Sequence, residues 1–125
     1  MGIKPRILTI DRNQRNLELL NQFLGKEGYE TLPMTTLSDL AKILEHPEKL
    51  GLALVDISGF DRSIWEYCEQ LSNKGIPLLV VAPQQLANIR QEGLSHGADG
   101  VLFKPLVVKE LMSLIRSLIR EDSNE

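Results

Sequence analysis

Two short apolar runs set the terms for the whole chain: Leu52-Ala53-Leu54-Val55, which continues into Asp56-Ile57, and Pro77-Leu78-Leu79-Val80-Val81-Ala82. Each has the length of a strand rather than a helix and neither alternates with polar residues, so both read as strands buried on two faces. Strands of that kind lie inside a sheet with cover above and below. The first run has one polar member, Asp56, where the strand surfaces before Ser58-Gly59. Open parallel sheets hold their ligand and reaction sites just beyond the carboxyl ends of the strands. The competing reading of Asp56 is a cap for the following turn or helix.

The rest of the chain supplies the cover. Arg6-Ile7-Leu8-Thr9-Ile10 is a first strand that also ends on an acid, Asp11, followed by the polar loop Arg12-Asn13-Gln14-Arg15-Asn16. Leu17, Leu20, Phe23 and Leu24 then recur at helical spacing, with Gly25 and Gly28 placed to stop the helix. Tyr29 to Leu32 reads as a weaker strand closed by Pro33. A second helix carries Leu37, Leu40, Ala41 and Leu44, with Thr36 or Ser38 as its N-cap, and gives way near His46-Pro47. Beyond the Asp56 strand, Ile64, Trp65, Cys68 and Leu71 mark one face of a helix that ends before Gly75. Gln84 to His96 reads as another helix, interrupted by Gly93 at a cost of roughly 1 kcal/mol relative to Ala. Gly100-Val101-Leu102-Phe103 is the last strand, and Leu111, Leu114, Ile115 and Leu118 mark the last helix.

Strand followed by helix, five times over, implies a parallel sheet, because parallel neighbours need crossovers and the crossover is right-handed. The expected architecture is α/β: a single doubly wound five-stranded parallel sheet with five helices. With 125 residues, 42% of them hydrophobic, there is material for one core and no second domain. Residues 1–120 are expected to form that domain and 121–125 a polar tail or the start of a linker. If the strand order is 2-1-3-4-5, it reverses between the first and third strands, and Asp11 and Asp56 end at one crevice.

Charge and composition remove several functions. A formal net charge of -3 disfavours autonomous nucleic-acid binding through phosphate contacts. The single cysteine, Cys68, cannot form an internal disulfide, the N-terminus lacks a signal-peptide apolar region, and no stretch is long enough to span a bilayer, so a cytoplasmic chain without membrane contact is expected.

The residues Ile7-Leu8-Thr9-Ile10-Asp11, Leu54-Val55-Asp56-Ile57, Gly97-Ala98-Asp99-Gly100 and Lys104-Pro105, in that order on five strand-helix units, resemble the receiver domain of two-component response regulators, a flavodoxin-like fold. The resemblance implies a cytoplasmic signalling module of a phosphorelay rather than an enzyme. A sensor histidine kinase or another signalling protein would be its partner. It makes Asp56 the phosphoacceptor position, Lys104 the cation contacting the phosphoryl oxygens, and Asp11 with Asp56 ligands of Mg²⁺. Metal and lysine are needed because a carboxylate attacks an anionic phosphoryl group only when the accumulating charge is neutralised.

Other positions depart from the family pattern. Arg12 stands where a second acidic ligand is usual, Ala82 replaces a hydroxyl residue, Pro83 has no N–H to offer, Val101 replaces the aromatic switch residue, and Phe60 replaces a loop proline. With Arg12 turned inward beside Lys104, the site's charge would fall to about zero, leaving no cofactor or a weakly bound Mg²⁺. The expectation is a degenerate receiver working through protein-protein interaction with Asp11, Arg12, Asp56 and Lys104 in one ion-pair network. The alternative is a phosphorylatable regulator that accepts a phosphoryl group on Asp56. A flavodoxin-like cofactor carrier is disfavoured by a first loop without a glycine-rich cradle. A possible homodimer would use the fourth helix, last strand and last helix, with Arg90, Val101, Lys109 and Met112 at the surface. His46 and His96 read as helix-end caps, and Cys68 and Trp65 as core.

Overall fold

Each predicted strand forms, and their order is what sets Asp11 beside Asp56. The computed structural model describes residues 5–46, 50–84 and 88–119. In chain order the elements are β1 (Arg6–Ile10), α1 (Gln14–Lys26), β2 (Thr31–Met34), α2 (Leu37–Glu45), β3 (Leu50–Asp56), α3 (Ile64–Asn73), β4 (Leu78–Ala82), α4 (Ile89–Ser95), β5 (Gly100–Phe103) and α5 (Val108–Leu118). The strands lie in the order β2-β1-β3-β4-β5, with every neighbour parallel. No helix among the described residues is long and apolar enough to cross a membrane. The expected tail at 121–125 and Pro47 lie outside the described residues.

The central strands show why their sequences had to be apolar throughout. Ala53 and Val55 face a core shared with Leu40 and Leu44 of α2, Ile64, Trp65, Cys68 and Leu71 of α3, and Ile89 of α4. Leu52 and Leu54 face the other core, shared with Leu24 of α1 and Leu111, Met112 and Ile115 of α5. Side chains of successive strand residues point to opposite faces, so a strand with cover on both has no polar position to spare. The four buried residues of α3 are the four its spacing picked out.

Several boundaries move. Helix α1 runs through Gly25, and the left-handed turn comes at Gly28, with φ of 93°. Thr36 is the residue that caps α2, its side chain accepting the Asp39 N–H at 3.1 Å. Pro33 lies inside β2 and pairs in register with Thr9 rather than closing the strand. The Ile7 and Asp11 N–H groups bond the Glu30 and Met34 carbonyls, so the even-numbered residues face β1 and Pro33 turns its nitrogen to the open edge, where no ladder bond is lost. Of the helix predicted from Gln84 to His96, residues 85–87 lie outside the described residues; what is described is α4. It begins at Ile89, after Asn88 in the left-handed conformation (φ 65°).

Gly93, which reads from sequence as a flaw in α4, is a packing requirement. It is buried, and a Cβ there would stand 2.9 Å from Cγ2 of Val101 and 3.9 Å from Cβ of Ala98. Gly93→Ala gains about 1 kcal/mol of helix propensity but overpacks the α4–β5 seam at a cost of about 1–3 kcal/mol. The expected result is net destabilisation of up to ~2 kcal/mol in urea unfolding, turned into a gain when Val101→Ala makes room.

Candidate functional site at the carboxyl ends of the central strands

Two buried carboxylates and one lysine meet where β1, β3 and β5 end. Ile10 pairs with Val55 across β1 and β3, so the next residues, Asp11 and Asp56, emerge side by side. They are 7% and 6% exposed and, with Thr9, are the buried polar side chains among the described residues. Each also shapes the loop it opens. Asp11 Oδ1 accepts the Asn13 N–H at 2.8 Å and Asp56 Oδ1 accepts the Ser58 N–H at 2.9 Å, the two-residue turns that Asp favours. Asn13 in turn caps α1, accepting the Asn16 N–H at 2.9 Å. The site reading and the capping reading of Asp56 are therefore compatible: one oxygen fixes the turn, and the other, Oδ2, lies 2.7 Å from Nζ of Lys104. The Lys104 N–H bonds the Ala82 carbonyl at 3.0 Å, which aims the residue across the strand ends, and the Lys104–Pro105 peptide is cis.

Arg12 does not join this group. Its guanidinium donates to the Gly59 carbonyl and its stem packs over Gly59, along the exposed rim of the β3–α3 loop. The expected four-member network is a Lys104–Asp56 pair with Asp11 beside it, and the charge inside the crevice is about -1 rather than zero.

The Asp11 carboxyl is shifted chiefly by its burial. Burial raises it above the ordinary 3.8 and the adjacent Asp56 carboxylate adds to the rise, while the Asn13 N–H and Lys104 oppose it. A carboxyl raised on folding contributes stability that is complete below the ordinary value and is lost as pH rises through its folded value. Asn mimics the protonated form at every pH and still accepts the Asn13 N–H. Asp11→Asn is thus expected to be more stable than the parent at pH 7 in urea unfolding, with an advantage that closes as pH falls toward 3.8.

Ala82 ends β4 fully buried, with Pro83 half-buried after it. Val101 is 4% exposed and Met112 5%, so neither lies on the surface of α4, β5 and α5 as expected. The close approach of α4 at Gly93 covers Val101, and Met112 falls on the buried stripe of α5. On that face Arg90 and Lys109 are exposed, and Arg90 places its guanidinium 5.3 Å from the Phe103 ring centroid. Phe60 is half-buried and packs against the α2–α3–α4 core.

His46 and His96 close α2 and α4 as expected. His96 does more than cap: it stacks on Trp65 of α3 at 5.0 Å between centroids, pairs through Nδ1 with Glu69, and has Glu92 at 3.9 Å, while Arg62 pairs with Glu92. This side-chain seam between α3 and α4 was not readable from spacing within either helix. Cys68 is buried, and burial pushes its thiol up to about 12, which leaves it an inert core residue.

Comparison with known proteins agrees with this geometry. The family model of the response regulator receiver domain matches residues 7–116. The transcriptional regulatory protein AruR of Pseudomonas aeruginosa is 32% identical over 127 residues, covering 96% of this chain and 51% of that protein. The heme response regulator HssR of Staphylococcus saprophyticus is 25% identical over 114 residues, covering 90% of this chain and 50% of that protein. The chain thus spans about half the length of the curated relatives it matches. Among solved structures, the CheY-like receiver domain protein of Methanospirillum hungatei superposes with a TM-score of 0.81 at 27% identity, covering 92% of this chain and 93% of that one. A receiver domain from Clostridium thermocellum gives 0.82 at 18% identity, covering 92% and 94%. With the strand order, the paired Asp11 and Asp56 and the facing Lys104 all in place, the chain belongs to the response regulator receiver domain family of two-component signalling.

Proposed function

We propose that this receiver domain is atypical: phosphorylation at Asp56 through Mg²⁺ is impaired, and the domain signals by binding other proteins. The observation that carries the reading is the donor set. Among the described residues Asp11 and Asp56 are its only carboxylates, three of their contacts are already made by the Asn13 and Ser58 N–H groups and the Lys104 ammonium, and Arg12 adds a cation at the rim where a second acid is usual. Among the described residues, no group of three or more His, Cys, Asp or Glu is placed to hold a metal ion. Two carboxylates and waters can hold Mg²⁺, but Lys104 already neutralises one of the two, so this set binds the ion weakly. Ala82 brings no hydroxyl and Pro83 no N–H to a phosphoryl group, so the means of reading out its arrival are reduced as well.

Receiver domains interact with histidine kinases and other signalling proteins. For this chain the contact is assigned to the face of α4, β5 and α5, where Arg90, Leu94 and Lys109 are exposed, and a homodimer would use the same face. One observation favours the second reading, an Asp56 that still accepts a phosphoryl group from a histidine kinase: Lys104 is already in contact with its carboxylate. Acetyl phosphate with Mg²⁺, followed by intact mass, separates the two. The expected result is no gain of a phosphoryl group, and no NMR shift with beryllofluoride. A full gain that disappears in Asp56→Asn would establish the second reading instead.

A further inference from the structure

Below the two carboxylates the sheet does not close against its cover. A cavity of about 240 Å³ lies between the ends of β1, β3 and β4, helix α1 and the β5–α5 loop. Its walls are Ile10, Leu20, Leu54, Val81, Pro105 and Leu106, and its polar end carries Asp11, Asp56 and Lys104 with Asn16 beside them. An engineered apolar cavity of about 150 Å³ takes up benzene, so this one has room for about ten heavy atoms. Apolar walls with a few convergent polar groups are the usual makeup of a small-molecule site.

The charge at the polar end selects the class of occupant. Two carboxylates against Lys104 leave about one negative charge, because Arg12 is committed to Gly59 on the rim. A monocation neutralises that charge, a dication overshoots it, and an anion adds to it. We propose that the cavity binds a small organic monocation, an ammonium group carried on an apolar body of about ten heavy atoms, with the ammonium against Asp11 and Asp56 and the body among Leu20, Leu54, Val81 and Leu106. The proposal rests on the reading that Mg²⁺ does not normally hold these two carboxylates.

Phenethylamine is the probe, with 2-phenylethanol as its uncharged counterpart and 3-phenylpropionate as the anion. The full chain, labelled with ¹⁵N, is titrated with each. Saturable amide shifts at Leu20, Leu54, Asp56 and Leu106 are expected with phenethylamine, at least tenfold tighter than with the alcohol, and none with the carboxylate. Leu20→Trp, which fills the cavity from its partly exposed α1 wall, is expected to abolish the shifts while the spectrum stays dispersed. Asp11→Asn is expected to keep the alcohol's affinity and lose the amine's preference. No saturable shifts, or equal binding of amine and alcohol in the parent chain, would overturn the proposal. A parallel Mg²⁺ titration tests the reading beneath it: Mg²⁺ that leaves the Asp11 and Asp56 signals unmoved supports both. If Mg²⁺ instead shifts those signals and displaces bound amine, the reading of an impaired metal site falls, and the proposal falls with it even though the amine binds in the absence of Mg²⁺.

Discussion

Lys104→Met is expected to destabilise the domain by about 2 kcal/mol at pH 7, less than the 3–5 kcal/mol typical of breaking a fully buried pair, because a third of the Lys104 side chain is exposed. Methionine keeps the stem that borders the crevice and removes only the charge. Two carboxylates would then share a buried site with no cation in contact, and the Asp11 carboxyl, which Lys104 lowers in the parent, would rise further and hold a proton more readily on folding. The sign follows from that proton. A carboxyl raised on folding holds its stabilising contribution below the ordinary carboxylate value and loses it as pH rises, so the deficit against the parent widens from pH 4 to pH 7. Adding Asp56→Asn removes the second negative charge and is expected to recover most of the loss. Urea unfolding of the four proteins of this cycle at both pH values checks the prediction. A deficit independent of pH would mean that the loss comes from packing rather than charge.

The larger effect is expected at Gly97. Its φ of 99° is one that residues with a Cβ rarely adopt, and a Cβ there would lie 2.5 Å from Cβ and Oγ of Ser72 on α3. Forcing the backbone costs about 1–2 kcal/mol and the overlap a further 1–3 kcal/mol or so. Gly97→Ala should therefore lose about 3 kcal/mol, a large part of the roughly 5–15 kcal/mol that holds a domain of this size together. Thermal unfolding should shift down by about 10 °C. Ser72→Gly removes both obstructing atoms, and in the double variant the steric part should return while the backbone part remains. If the double variant is no better than Gly97→Ala alone, the obstruction is not the cause.

Gly97 also shows what the motif around it does. In Gly97-Ala98-Asp99-Gly100, Gly97 makes the left-handed turn after α4 and Ala98 is buried. The Asp99 carboxylate accepts the Leu78 N–H at 2.8 Å, and the Asp99 N–H returns to the Leu78 carbonyl at 2.7 Å. The four residues that helped carry the family resemblance start β5 in register with β4; their work is structural.

What could be read from the sequence divides along physical lines. Strands covered on both faces leave an unbroken apolar signature, and the Asp closing each run marks the strand end, so Asp11 and Asp56 were legible once the strand order was supplied. Helix α3 was legible because its burial is a single stripe. The route of Arg12 was not: a long side chain at a loop mouth has several partners in reach, and the choice of Gly59 belongs to the folded β3–α3 loop. Val101 and Met112 were misplaced because exposure depends on how closely α4 and α5 approach the sheet, which Gly93 decides for one of them. The cavity was invisible for a related reason. Its walls come from five separate parts of the chain, each apolar for its own reasons, and a void between them leaves no mark on any one.

Pro33, finally, bears on how the molecule behaves among copies of itself. An open sheet edge is a template on which another strand can dock and a fibril can grow. On the outward side of β2 the backbone offers no donor at Pro33, and the ring stands exposed where an incoming strand would have to lie. Growth from that edge stalls at Pro33, the third of the strand's four residues, so a crowded solution of this protein is protected on the β2 side from sheet extension by a single imino acid.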